Sequence, residues 1–467
     1  MLNTNRNRGR AALASAAGGV ALLVVAIAVQ AGLIPLSFAP FVTVSLGPPD
    51  CEEGGDCSEG AIDVTAGDFN DDGFLDVATA NNGSDDITVF LGDGESGLTS
   101  TFTASCAGAP AGIASGNLND GDTDLDLVVT KELDNKIGVF IGNGDGTFAD
   151  EVEYDMGDSP EGIVLADFNA DEKLDVATAD LLGETVSVRL GVGDGTFGVL
   201  QQTAVGGGPN LLAAGKLDDD AIIDLAVTLY DEIPGRLGTL IGNGDGTFLF
   251  AGTAAAAEVD DAPRGVALAD FNDDGELDAG VATESFDSVD ILLGNGDGTF
   301  GTFEPYLVGG FPESVVAGDF NGDGIVDLAS ADSFGTIDFD SSVSVLLGNG
   351  DGTFAEAVSF EVDPGAFGIV AADLNDDRLP DLVTANLDDT TISVLVNTGT
   401  PPTPSCVGDC DGNGMVAINE LILGVNIALG TASVDDCPAF DENGDGMVGI
   451  NELVTAVNNA LNNCPAG

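Results

Sequence analysis

The stretch DFNGDGIVD, residues 319–327, decides the fold. Asp319, Asn321 and Asp323 stand at alternate positions, Gly324 follows, and Asp327 closes the stretch. The next residues, Leu328 to Ser330, read as the start of a strand. Related stretches begin at Asp68, Asn117, Asp167, Lys216, Asp270 and Asp373, so the seven copies are 49 to 54 residues apart. Each copy sits among the same neighbours. An apolar run (ESVVAG, 313–318) leads in, and a second run (DLASA, 327–331) leads out. A third alternates apolar and polar residues (SVSVLL, 342–347) and ends in GNGDGTF at 348, before a fourth run, FAEAVSFEV (354–362). Alternation with period two between Gly, Asn and Asp turns argues strands, not helices. GNGDGTF recurs at 142, 242 and 294, with GVGDGTF at 191, and its Gly and Asn supply the positive φ angles of a tight hairpin. Four antiparallel strands per ~50 residues, repeated, describe propeller blades. The expectation is an all-β, seven-bladed propeller over residues 38–397 with a small α module behind it.

The seventh unit supplies three strands before TGTPPTPS interrupts it. FAPFVTVSLG (38–47) aligns with FAEAVSFEVD (354–363), so residues 38–46 are expected to return as the closing strand of the last blade and hide its edge.

Composition narrows function. The 467 residues carry 80 acidic and 11 basic side chains, a formal charge of -69, which repels nucleic acid and anionic lipid and attracts cations. With no His and no Trp, the usual general base, the commonest nitrogen ligand for metals and the best sugar-stacking ring are missing. No single-copy catalytic constellation is evident, and the expectation is not an enzyme. Residues 1–31 read as a signal peptide or anchor: Arg6, Arg8 and Arg10 precede the uncharged AALASAAGGVALLVVAIAV, and Val29-Gln30-Ala31 suits a signal peptidase. That places the rest outside the cytosol, secreted or at the cell surface, where disulfides form. Seven Cys is an odd number, so at least one is unpaired or pairs with another chain.

The repeated loop is either a bare Asp/Asn/Gly turn or a cation site. Two features favour a cation. The ninth position is Asp in every copy, including Asp126 and Asp224, and there it opens a strand, where Asp is disfavoured. Clustered carboxylates within ~4 Å repel by about 1 to 4 kcal/mol per pair, and a divalent ion reverses that sign. The all-oxygen donor set suits Ca2+, and several ions are expected. The ligand sets are Asp68, Asn70, Asp72, Asp76; Asp270, Asn272, Asp274, Asp278; and Asp319, Asn321, Asp323, Asp327. Asp167, Asn169, Asp171, Asp175 form a fourth set with Glu172 in the glycine position, and Asp373, Asn375, Asp377, Asp381 a fifth with Arg378 there. The second copy has one extra residue, and in the fourth the Lys216 ammonium is expected to neutralise Asp218, Asp220 and Asp224 in place of calcium.

Loop and hairpin together resemble the FG-GAP or VCBS repeat of integrin-α-like propellers and bacterial surface proteins. The resemblance implies calcium in loops on one rim and binding of an extracellular protein or glycan.

A Pro/Thr linker (398–405) leads to residues 406–467, where DCDGNGMVAINEL from Asp409 and DENGDGMVGINEL from Asp441 lie 32 residues apart. Each completes a twelve-residue calcium loop: Asp409, Asp411, Asn413, the Met415 carbonyl and Glu420; then Asp441, Asn443, Asp445, the Met447 carbonyl and Glu452. Val416 and Val448 are placed to pair the loops. Helices are expected to follow, with apolar stripes Leu421, Ile422, Val425, Leu429 and Leu453, Val454, Val457, Leu461. Loop-then-helix units without entry helices resemble a dockerin paired EF-hand module. Dockerin loops usually end in Asp, and here Ile418-Asn419 and Ile450-Asn451 occupy the cohesin-contacting positions, so cohesin binding is not assured. The expected whole is a calcium-binding scaffold for adhesion or for protein or glycan binding. The alternative is a propeller-type polysaccharide-active enzyme, or an accessory component of an extracellular glycan-degrading assembly.

Overall fold

A computed structural model describes residues 36–46, 60–253, 255–334 and 341–399, and beyond these residues 408, 410, 416–429, 431–432, 437, 440, 448, 453–457 and 460. The expected leader (1–31), nearly all of the linker, and Cys51, Cys57, Cys406 and Cys464 lie outside the described residues. Among those described, no helix is long and apolar enough to cross a membrane.

Seven antiparallel sheets form, each of four main strands, and six of them are meanders of consecutive strands. In blade one these are Ala61–Gly67, Asp76–Asn81, Asp86–Gly92 and Leu98–Ser105. The inner strands of successive blades pack side by side, and that of blade seven, Ala366–Ala372, packs on that of blade one, which closes the ring. Blade four adds a short strand, Ala257–Glu258, beside Arg236–Gly242. In blade seven the outermost strand is Val42–Ser45, paired antiparallel with Thr391–Leu395 in the register Val42 to Val394.

Close packing at the axis depends on glycine. A Cβ on Gly265 would lie 2.7 Å from the Ser314 Cα of the next blade, and one on Gly368 2.7 Å from the Asp63 Cα. Backbones approach there more closely than any side chain permits.

The core lies between blades. Ala61, Val64, Val77 and Phe90 of blade one meet Val383, Ala385, Ile392 and Val394 of blade seven in one buried cluster, and comparable clusters fill other interfaces between neighbouring sheets. The second strands are buried along their whole length, except that the one in blade six ends in an exposed Phe334, because each is flanked by strands and faced by two blades. Full burial of one such Phe or Leu contributes about 1.5–3 kcal/mol.

The second residue of every acidic loop anchors that loop. Phe69, Leu118, Phe168, Leu217, Phe271, Phe320 and Leu374 are all buried. Three of the rings meet the hairpin Phe of the following blade edge to face, with centroids 5.8 Å (Phe69–Phe148), 5.4 Å (Phe168–Phe248) and 5.3 Å (Phe271–Phe354) apart.

Cys106 is a free, buried thiol. Burial first, and then the neighbouring Glu151, push its pKa up. Beside it the buried Lys131 pairs with Glu151 (2.9 Å) and with Glu153.

Of the C-terminal segment, one helix, Ile418–Ala428, and a helical stretch at 453–457 are described, with a Cys410–Cys437 disulfide. Its small core is Ile427, Cys437, Phe440, Val448 and Ala456. Of the expected apolar stripes only Leu421 and Leu453 pack against it; Ile422, Val425, Leu429, Val454 and Val457 are exposed, and Leu461 lies outside the described residues. The reason is Gly424, whose missing side chain leaves the flat place on which the Phe440 ring rests. The helix therefore turns Leu421, Gly424 and Ile427 inward. Of the expected ligands here only Glu420 is described. Its carboxylate accepts from Cys410 N (2.8 Å) and Ala417 N (2.7 Å), which ties the start of the helix to the disulfide. The other nine, from Asp409 to Glu452, lie outside the described residues.

Candidate functional site: the acidic rim and the axial cavity

Each acidic loop joins an inner strand to the second strand of its blade. Five share one network. The first Asp accepts two backbone N–H groups from the fifth and sixth positions: Asp68 from Asp72 and Gly73, Asp167 from Asp171 and Glu172, Asp270 from Asp274 and Gly275, Asp319 from Asp323 and Gly324, Asp373 from Asp377 and Arg378, all between 2.6 and 3.2 Å. The fifth-position Asp accepts from the seventh-position N–H in all five, at 2.9 to 3.1 Å. In four, the third-position Asn oxygen (Asn70, Asn272, Asn321, Asn375) accepts from the N–H of that Asp at 2.9 to 3.0 Å. In the third loop the Asn169 oxygen is buried without a partner.

The backbone follows the same path in all five. The sixth position is left-handed whether it is Gly73 (φ +90°), Gly275 (+89°), Gly324 (+83°), Glu172 (+68°) or Arg378 (+75°). Glu172 and Arg378 hold this conformation at a cost that glycine avoids.

The ninth-position Asp has a role that spacing alone does not reveal. Asp327 accepts from Phe320 N (2.9 Å) with one oxygen and from Gly348 N (2.8 Å), at the head of the GNGDGTF hairpin, with the other. Asp76 does the same with Phe69 and Gly92, and Asp126, Asp175, Asp224, Asp278 and Asp381 repeat the clamp in their own blades. This clamp accounts for an Asp at the start of a strand without a metal, because it fastens the acidic loop to the hairpin beside it. Blades two and four, whose loops depart from the pattern, keep it. Hairpin glycines also reach across blades: Gly146 N donates to Phe69 O (2.9 Å) and Gly352 N to Phe271 O (2.9 Å). Blade seven has no such hairpin, and there Asn397 Nδ2 donates to Phe320 O at 2.8 Å instead.

Burial, and after it the charges of the loop's other Asp residues, push Asp76, Asp175, Asp278 and Asp381 up to about 6 and Asp327 to about 7. Among the described residues, no group of three or more acidic or Cys side chains is arranged to hold a metal ion. The donor set still fits calcium in chemistry: every side-chain donor is oxygen, each carboxylate oxygen engaged by an N–H retains a lone pair, and Asn169 offers a buried, unpaired carbonyl. Lys216 departs from expectation. Among the described residues the ion pairs are made by Lys131, Lys136, Arg236 and Arg264, and Lys216 makes none with Asp218, Asp220 or Asp224.

At the opposite end of the inner strands, all seven blades line one axial cavity. In six blades the third residue of the run that opens the inner strand (SPEG, GPNL, APRG and their equivalents) lines this cavity. Three consecutive blades supply Glu161, Asn210 and Arg264, and the blades on the other side supply Phe367, Ile62 and Ala111, with Asp63 beside Ile62; blade six contributes Ser314, next to Glu313. Arg264 is held from several sides. Its Nε and Nη2 lie 3.0 Å from Glu284 Oε2, Nε is 3.3 Å from Glu313 Oε2, and the guanidinium carbon sits 4.4 Å from the Tyr230 ring centroid. Burial, then the charge of Glu132, pushes Glu161 up to about 7, while Arg264 pulls the other way. Sequence reading missed this group. Its one signal was a variable residue inside an otherwise repeated strand opening.

FG-GAP-like repeats match residues 120–178, 280–330 and 319–384. No curated protein matches the chain. Among solved structures, streptogramin B lyase superposes with a TM-score of 0.51 at 15% identity, covering 77% of this chain and 98% of the other. BBS1N, in its complex with ARL6DN, superposes with a TM-score of 0.52 at 13% identity, covering 78% and 99%. At such identities the likeness is one of fold. The molecule is a seven-bladed β-propeller, parts of which match FG-GAP-like repeats.

Proposed function

We propose that the chain is an exported, calcium-organised propeller scaffold that engages another macromolecule, a protein or a glycan, outside the cytosol. Five loops with the same oxygen-donor network, one of them with an unpartnered buried amide oxygen at Asn169, carry the calcium part of this reading. The fifteen carboxylates and five amides of those loops would hold the ions, and the ion would supply charge neutralisation rather than chemistry. In the C-terminal segment Asp409, Asp411, Asn413, Met415 and Glu420, with Asp441, Asn443, Asp445, Met447 and Glu452, would form two further loops of a dockerin-like EF-hand module, stapled by Cys410–Cys437. The exposed Ile422, Val425 and Val454 give that module an apolar face.

Elemental analysis of dialysed full-length protein, with melts in calcium and in chelator, tests the reading. Several ions per chain and a large calcium-dependent rise in Tm are expected; no bound metal at saturating calcium would remove it.

A polysaccharide-active enzyme is the second reading. Its acid and base would come from the axial cavity, where Asp63 and Glu161 are both raised by burial, to about 6 and about 7. Release of reducing ends from a polysaccharide panel, abolished in Glu161→Gln, would establish it.

A further inference from the structure

We propose that the axial cavity, on the face opposite the acidic loops, is a binding pocket for the uncharged, hydroxyl-rich end of a glycan chain. The proposal rests on the scaffold reading and gives it a site and a ligand class.

Everything that builds the blades recurs, whereas the ring at the axis does not repeat. Glu161, Asn210 and Arg264 come from three consecutive blades and Phe367, Ile62 and Ala111 from three others, while Asp63 adds a carboxyl to the second group and Leu211 an apolar side chain to the first. Strand pairing does not require this arrangement, since Ala111 and Phe367 stand at the same position as Glu161 and Arg264.

Asn210 is the decisive residue. It is 6% exposed and lines the cavity, yet among the described residues its side-chain amide makes no hydrogen bond. The amide opens onto the cavity, so its donors and acceptor are met there by water or by a ligand group that displaces it.

Arg264 is fixed before any ligand arrives. Tyr230, Glu284 and Glu313 hold its position and offset its charge, while its remaining N–H groups stay available as donors. Two carboxylates beside it, in a chain of net charge -69, leave no attraction for an anionic ligand. A cationic ligand would meet the guanidinium itself.

A neutral polyhydroxyl group meets neither obstacle. Its hydroxyls can donate to Glu161, accept from Arg264 and do both with Asn210. Its C–H face can lie against Phe367 and Ile62. The cavity is small, ≈ 50 Å³, and walled by every blade, so it takes a hydroxyl or hydroxymethyl group of a chain end and leaves the sugar ring at the mouth.

The test uses the full-length protein against immobilised gluco-, galacto-, manno- and xylo-oligosaccharides and N-acetylglucosamine oligomers, with oligogalacturonate and spermidine as charged controls. Retention on at least one neutral set is expected. Asn210→Ala and Phe367→Ala should each weaken it roughly tenfold or more, with Tm within about 2 °C of the native protein. The isosteric Asn210→Leu keeps the test open should the alanine variant unfold. Binding to charged probes alone, binding unaffected by either substitution, or no retention of any neutral set overturns the proposal. Metal content is measured on the same samples, so bound calcium without glycan retention removes the pocket and leaves the scaffold reading standing. Asn210-dependent retention without metal does the reverse.

Discussion

The two faces of the propeller are built by opposite rules. On one, the Asp loops and glycine hairpins say nearly the same thing in every blade. On the other, the residues at the axis differ from blade to blade. Repetition serves construction: the Asp327 clamp solves one local problem, fastening loop to hairpin, that each blade presents again. Singularity has no such use. Strand pairing does not require Glu161, Asn210 and Arg264 on one set of blades and Phe367 and Ile62 on others. The repeating face is where stability should be lost on mutation, and the non-repeating face is where binding should be lost.

Removing calcium should have the largest effect. Each site saturated at a hundred times its Kd adds about 2.7 kcal/mol, so chelation should lower Tm by roughly 10 °C or more. An unchanged melt would leave the acidic face purely structural. Next is the clamp. Asp327→Ala leaves Phe320 N and Gly348 N unpaired, which at about 1–3 kcal/mol per buried group should destabilise the chain with or without calcium in urea titrations. Asp323→Ala, whose carboxylate accepts only from Ile325 N and Asn321 Nδ2 within its own half-buried loop, should matter mainly when calcium is present. Equal losses in chelator would mean that the ninth position is nothing more than another ligand.

The blade interior supplies a third test. Asp332 and Asp290 are pushed up to about 7 and Asp180 to about 6, in each case chiefly by burial. These folded-state values lie above the ordinary 3.8, so the neutral carboxyl is the form the fold prefers. Its contribution is complete below about pH 4 and is lost as pH rises through 6 to 7. Melts in chelator should fall between pH 5 and pH 8, and Asp332→Asn should flatten part of that slope. A steeper slope in the variant would show that the serines around Asp332 hold the ionised form instead.

Two smaller effects compare the faces directly. Glu172→Gly and Arg378→Gly should each stabilise by about 1 kcal/mol, because the left-handed position is strained for both. On the axial face Asn210→Ala should change stability by less than about 1 kcal/mol, as it removes no hydrogen bond. A large loss there would make the ring part of the construction after all.

Much of the acidic face was legible in the chain. Asp319, Asn321, Asp323 and Gly324 lie within six residues, and their spacing is itself the loop. What spacing could not disclose was the partner of Asp327, since Gly348 is 21 residues away and becomes its neighbour only when two strands pair. The helix at Ile418–Ala428 was legible as a helix but not in its orientation. Several of its faces are apolar, and Gly424, which carries no hydrophobic signal, is the one that accepts Phe440.

The sequence by itself determined the period, the number of blades and the acidic loops, because each of these is written within one unit of about fifty residues and then written again. Closure of the ring alone decided which residues meet at the axis. Ile62 and Phe367 are 305 positions apart in the chain, and no local pattern links them. They come together because inner strands held about 5 Å from their own partners must also pack against those of the next blade, until the seventh meets the first.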